Sequence, residues 1–203
     1  MQNTISELEP RAMWQHFAEL NAVPRPSKKE ERVIAFMQNF GESLGLETQV
    51  DETGNVIIRK PASPGMEDRV TVVLQGHLDM VHQKNADTDF DFDSQGIDMY
   101  IDGDWVKARG TTLGADNGIG VASAMAILAS DDIQHPAIEA LFTIDEETGM
   151  TGAGPSGTGA VVAQPASNPK EMKTLKIPFF FKHMSFLLHP CLAKRHFYFA
   201  IST

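Results

Sequence analysis

Cysteine is almost absent: Cys191 stands alone among 203 residues. A single thiol excludes a disulfide framework within a monomer and fits a reducing compartment. Long apolar runs are missing as well, so no stretch is built to span a bilayer and no membrane partner is expected. The first ten residues are acidic and hold no apolar run, which argues against a secretory signal and makes the cytoplasm the expected location. Basic residues are scarce where acids are dense. Residues 1–153 carry 26 Asp and Glu against 11 Lys and Arg, a net of -15, while residues 154–203 carry one acid, Glu171, and six Lys and Arg, a net of +5. An acidic body is a poor partner for nucleic acid and is compatible with divalent cations. With 42% hydrophobic residues the chain has enough apolar material for a sizeable core.

The pattern of what is present alternates between helix and strand. Met13, Trp14, Phe17 and Leu20 recur near helical spacing until Pro24 and Pro26 forbid continuation. Ser27-Lys28-Lys29-Glu30 has the form of a capping box, and Val33, Ile34, Met37, Phe40 and Leu44 then mark one face of a second helix ending at Gly45. Residues 47–50 and 55–59 flank a turn and predict a hairpin, residues 70–74 and 137–144 predict buried strands, and residues 99–101 and 105–108 predict a second hairpin around Asp102-Gly103. From Asn117 to Ser130 small and apolar residues predict a tightly packed helix. The expected fold is α/β, an open mixed sheet flanked by helices. Between residues 85 and 94 acids alternate at Asp87, Asp89, Asp91 and Asp93 like half a calcium loop. The glycine and the bidentate Glu that such a loop requires are missing, so a solvated loop is expected.

The candidate chemistry sits at the strand ends. In Gly76-His77-Leu78-Asp79-Met80-Val81 a metal-ligating residue type stands two positions from a carboxylate, and alternate side chains of a strand share one face. Asp79 on one ring nitrogen of His77 would fix the tautomer and leave the other nitrogen for a cation. Two further acid-bearing turns follow apolar segments: Gly114-Ala115-Asp116-Asn117-Gly118 and Thr143-Ile144-Asp145-Glu146-Glu147-Thr148-Gly149. Any one strand-end acid is more often simply solvated. Three turns of them at the edge where open α/β sheets form their sites point instead to divalent cations held between carboxylates. A bridging carboxylate between two ions acidifies a water, and one unligated carboxylate then moves its proton, which is the chemistry of carbonyl hydrolysis.

The segments Gly76–Val81, Arg109–Gly120 and Thr143–Gly149 resemble those of the bacterial aminoacyl-histidine dipeptidases, also called cytosol non-specific dipeptidases or peptidase D, of the di-zinc exopeptidase superfamily. The resemblance covers about residues 5–153, and Thr111-Thr112-Leu113-Gly114-Ala115-Asp116-Asn117-Gly118 is its most specific part. It implies the N-terminal portion of a di-zinc exopeptidase catalytic domain acting on dipeptides, of the Xaa-His type and more broadly. It implies two divalent ions, zinc first and cobalt or manganese as alternatives, with His77 on one ion, Asp116 bridging and Glu147 on the other. It also implies Asp79 as the residue that orients His77, Glu146 as general base, a cis peptide at Asp116-Asn117, and a homodimer in full-length members.

The resemblance ends near Ala153, where the charge balance also breaks. Two further ligands that the family uses, a carboxylate and a distant histidine, have no identifiable counterpart. The expected organisation is therefore a truncated metallopeptidase domain, 1–153, and an unrelated basic tail, 154–203, frame-shifted or poorly ordered, with a genuine alternative C-terminus as the second explanation of its origin. The tail has weak strand or helix periodicity and an apolar cluster at Phe179, Phe180 and Phe181 without a partner strand. His183, His189 and His196 read as solvated residues of that tail. The alternative to an active dipeptidase is an inactive fragment that keeps part of the metal site.

Overall fold

Apolar residues at helical spacing in two N-terminal stretches become α1 (Arg11–Asn21) and α2 (Glu31–Ser43) in the computed structural model, which describes residues 4–154 and two later strands, Leu187–Cys191 and His196–Ala200. Met13, Phe17 and Leu20 bury one face of α1, and Val33, Met37 and Gly41 bury one face of α2. Helix α2 starts later than a capping box at Ser27 would place it. Glu30 occupies the cap position without a side-chain cap bond, and the Ser27 hydroxyl is bonded elsewhere. The Ser27 hydroxyl donates to the buried Asp79 carboxylate, a charged acceptor that makes a strong hydrogen bond, and so is oriented away from the acceptor role of a helix cap.

The strands are β1 (Glu47–Val50), β2 (Val56–Lys60), β3 (Thr71–His77), β4 (Met99–Asp102), β5 (Trp105–Ala108), β6 (Ile138–Thr143), β7 (Leu187–Cys191) and β8 (His196–Ala200). They form a six-stranded mixed sheet in the order β1-β2-β6-β3-β8-β7, with β4 and β5 as a separate hairpin. Strands β3 and β6 run parallel with His77 opposite Thr143, so both carry the chain outward at the same sheet edge. Helix α3 (Ala115–Ala129) returns from that edge and packs on the sheet and on α1. Alternation along the strands divides two apolar layers. Val56, Ile58, Leu74, Ile138, Ala140 and Phe142 meet Leu20, Val33, Met37, Val121 and Met125 in the main core, while Ile57, Val73 and Leu141 are buried on the opposite face. Gly76 lets α3 come close: a Cβ there would meet Val121 Cγ2 at 3.2 Å and Asn117 Oδ1 at 3.4 Å. Among the described residues no helix is long and apolar enough to cross a membrane.

The later strands differ from the expectation of a tail without strand character. Strand β8 lies parallel to β3 and β7 pairs antiparallel with β8. Phe197, Tyr198 and Phe199 are residue types that favour strands, and the second edge of β3 offers unpaired backbone donors and acceptors. The cluster at Phe179, Phe180 and Phe181 and His183 lie outside the described residues.

Phe142 is fully buried at the centre of the main core. Phe142→Ala is expected to lower the unfolding free energy by about 3–5 kcal/mol, the usual loss for an aromatic cavity, as read from urea unfolding. A change below about 1 kcal/mol would mean that the core is not packed as described.

Candidate metal centre

The site forms because three turns leave the same sheet edge. His77 is the last residue of β3, Asp79 follows two residues later, Asp116 stands in the first turn of α3, and Glu146 and Glu147 follow β6. All five residues singled out in the sequence come together. His77 is buried, and its Nδ1 lies 3.2 Å from Asp79 Oδ1 and 3.1 Å from the Asp79 carbonyl oxygen. Both atoms only accept, so Nδ1 carries a proton, and Nε2 is the nitrogen turned toward the other carboxylates. Nε2 faces Asp116 Oδ1 at 3.3 Å and Glu146 Oε2 at 3.8 Å. One ligand atom each from His77, Asp116 and Glu147 lie within 4.8 Å of one another. The peptide joining Asp116 and Asn117 is cis.

This donor set fits a divalent cation. An imidazole nitrogen with two carboxylates is a zinc-type environment that manganese or cobalt also satisfies. Asp116, exposed on its side chain, and the half-buried Glu147 are open toward solvent, while His77 and Asp79 close the floor.

Asp79 is fully buried and accepts from four groups: His77 Nδ1, Ser27 Oγ at 2.7 Å, the Glu146 amide at 3.0 Å and the Glu147 amide at 3.1 Å. Burial by itself would raise its pKa. The bonds from His77, Ser27 and the two amides outweigh that and hold the carboxyl at about 2. Burial would depress His77, but the bond and charge of Asp79, with Glu146 and Asp116 adding to them, raise it. Glu147 is raised by burial first; His77 opposes that, and the neighbouring carboxylates Asp116, Glu146 and Asp79 reinforce it.

Two neighbours of the site escaped the sequence reading, Arg25 and Glu30, while Asp145 was read only as one acid of the Thr143–Gly149 turn. Glu30, Asp79 and Asp145 form a second, wholly buried carboxylate group behind the first. Protein donors reach each of its three carboxylates. Glu30 Oε1 accepts from the amides of Lys28 and Asp145, and the Asp145 carboxylate accepts from the hydroxyls of Thr148 and Thr151. Asp145 takes a left-handed backbone, φ 51°, which turns the chain sharply so that the next two amides meet Asp79. The local signal for these residues was weak, since Ser27 and Glu30 also satisfy a capping-box pattern. Of the tail histidines, His196 lies opposite Thr71 at the start of β3, six residues and roughly 20 Å of strand from His77.

An α/β sheet with a histidine and carboxylates converging at its carboxyl edge is a frame suited to a metal centre. The chain belongs to peptidase family M20/M25/M40, which matches residues 73–185. Over 149 residues it is 52% identical to the cytosol non-specific dipeptidase of Escherichia coli (strain K12), covering 73% of this chain and 31% of that protein. The structure resembles that of an aminoacylhistidine dipeptidase from Vibrio alginolyticus at 55% identity and a TM-score of 0.73, over 74% of this chain and 31% of that one. It is also similar to an aminopeptidase PepT from Bacillus cereus, at 26% identity and a TM-score of 0.59, over 72% of this chain and 39% of that one. The chain thus spans about a third of the length of these relatives.

Asp79 makes stability depend on acid in a defined window. Its folded pKa of about 2 lies below the ordinary 3.8, so its contribution is present above 3.8 and is lost as pH falls through 2. In chelator-treated protein the gap in unfolding free energy between the native chain and Asp79→Asn should therefore shrink by about 2 kcal/mol from pH 5 to pH 2. A gap independent of pH in that range would show that Asp79 is not held as the described bonds require.

Proposed function

We propose that residues 1–153 are the N-terminal part of the catalytic domain of a metal-dependent dipeptidase, with residues 154–203 a basic extension that does not complete the site. The observation that carries this reading is the convergence of His77, Asp116 and Glu147 within ligand distance while Asp79 occupies the other nitrogen of His77. His77 would hold one divalent ion and Glu147 a second, with Asp116 shared between them; zinc suits this set, with cobalt or manganese as alternatives. Such ions supply Lewis acidity and lower the pKa of water. Glu146, close to His77 Nε2 but outside the three-ligand group, takes the proton of the attacking water and returns it to the leaving amine. Asp79 keeps His77 in the tautomer that presents Nε2 outward.

The substrate is a small peptide, by analogy with the dipeptidase names of the relatives, and the cytosol in one of those names supports a cytoplasmic location. The acidic body gives no support to a nucleic-acid partner, and a homodimer is proposed for the full-length protein. The second reading, that this 203-residue chain is itself catalytically silent, is favoured by the three convergent ligands found among the described residues and by the position of His196 at the far end of β3.

Metal analysis of the purified chain tests the site. His77→Ala and Asp116→Ala should each abolish tight binding of at least one zinc equivalent, and unchanged stoichiometry in both variants would refute the assignment. In a full-length parent enzyme, Glu146→Gln should keep the metals and lose dipeptide hydrolysis by roughly 10²–10⁴-fold, whereas Glu147→Gln should lose metal affinity first. A near-normal rate for Glu146→Gln would reverse the two roles. The intact chain should show no dipeptide turnover with added zinc, cobalt or manganese. Turnover that disappears when His183, His189 and His196 are all changed to Ala would mean that the extension supplies a ligand.

A further inference from the structure

The turn between α1 and α2 contacts every ligand-bearing segment of the site, although it contributes no ligand. Arg25 is fully buried, and its guanidinium reaches three backbone carbonyls: Nη1 donates to Leu78 at 3.0 Å and to Asp79 at 3.3 Å, and Nη2 donates to Gly114 at 2.6 Å. Nη2 also donates to Asn21 Oδ1 at 2.8 Å. Two residues on, Ser27 donates through Oγ to Asp79 Oδ2, and its amide donates to the Met80 carbonyl. The Met80 amide donates back to the Arg25 carbonyl. Glu30 Oε1 accepts from the Asp145 amide at 3.1 Å, one residue before Glu146. Asn21 apart, these partners are 52 to 115 residues away in sequence, and each belongs to a turn that carries a candidate ligand or its orienting acid.

We propose that residues Arg25 to Glu30 are a positioning clamp that sets the His77–Asp79, Gly114–Asp116 and Asp145–Glu147 turns relative to one another. The inference rests on the metal-site reading above and adds residues to it. A buried arginine serving packing alone would need its volume filled and one counter-charge. This one is forked between the turn after β3 and the turn before α3, and the planar guanidinium holds the two at fixed separation in a way that a flexible ammonium does not. The glycines around it agree. Gly114 has φ +69°, and a Cβ there would stand 2.5 Å from Arg25 Nη2; at Gly118 the same test gives 2.8 Å. Two glycines of the most specific sequence motif are thereby accounted for by the need to admit Arg25. Ser27 completes the clamp by holding Asp79, and Asp79 in turn holds the Glu146 and Glu147 amides.

The test uses the intact chain and two readouts, with Ser27→Ala as the mild variant, Ser27→Thr as the rescue and Arg25→Lys as the severe one. In metal-free protein, amide hydrogen exchange at Glu146 and Glu147 should speed up roughly tenfold in Ser27→Ala, as expected for losing one bond to a buried charged acceptor, while amides of β3 and β6 in the core change less than about twofold. Ser27→Thr should restore protection. Arg25→Lys, if it folds, should add faster exchange at Gly118, whose amide bonds the Gly114 carbonyl. Exchange at Glu146 and Glu147 that stays at the native rate in Ser27→Ala, or rises only in step with the core amides, overturns the clamp. Cobalt titration supplies the second readout: Ser27→Ala should weaken cobalt binding roughly tenfold and Ser27→Thr should recover it. Failure of the unsubstituted chain to bind cobalt would count against the metal-site reading, while the exchange data would still decide the clamp.

Discussion

Most of the site depends on one buried carboxylate. Asp79 has no contact with solvent, and an isolated charge there would be strongly disfavoured. It is kept ionised by four donors drawn from three parts of the chain: His77 on its own strand end, Ser27 in the turn between α1 and α2, and the amides of Glu146 and Glu147 after β6. Each donor satisfies the charge, and the charge fixes each donor. The histidine tautomer, the direction of the Glu146-Glu147 backbone and the seat of the α1–α2 turn are therefore a single constraint.

This arrangement explains why acids can be so dense at one sheet edge. Six carboxylates and a histidine lie in two tiers. In the inner tier Glu30, Asp79 and Asp145 accept from hydroxyls and amides of the protein, and Asp79 also from the His77 ring. In the outer tier Asp116 and Glu147, with Glu146 beside them, face solvent and have few protein donors. The inner tier is structural because each of its carboxylates is bonded to protein donors. The outer tier is open to a cation because its carboxylates have few such donors.

The parallel pairing of β3 with β6 brings this about. With His77 opposite Thr143, the turns that follow both strands emerge side by side, and α3 begins at the same edge with Asp116. The fold places the site where open α/β sheets place theirs, at the carboxyl ends of adjacent parallel strands. The relatives share this frame over about a third of their length, and the family match over residues 73–185 includes His77, Asp79, Asp116, Glu146 and Glu147.

Much of this was legible in the chain. Apolar spacing of 3.6 marked α1 and α2, β-branched and apolar runs marked β3 and β6, and the five site residues were carried by three short motifs at strand ends. These signals are local, because a helix face or a strand end is written in neighbouring residues. The capping-box reading of Ser27 to Glu30 went wrong for the complementary reason. The same two side chains can close a helix end or bond across the fold, and only the presence of a buried Asp79 and a distant Asp145 amide decides between them. Arg25 carried no signal beyond lying between two prolines, since its acceptors are backbone carbonyls, which every residue has. The sequence by itself determined the elements and the chemistry available at their ends. The tertiary structure decided which donors meet which acceptors, because hydrogen bonds spanning 52 to 115 residues depend on strand register and helix placement rather than on any local pattern.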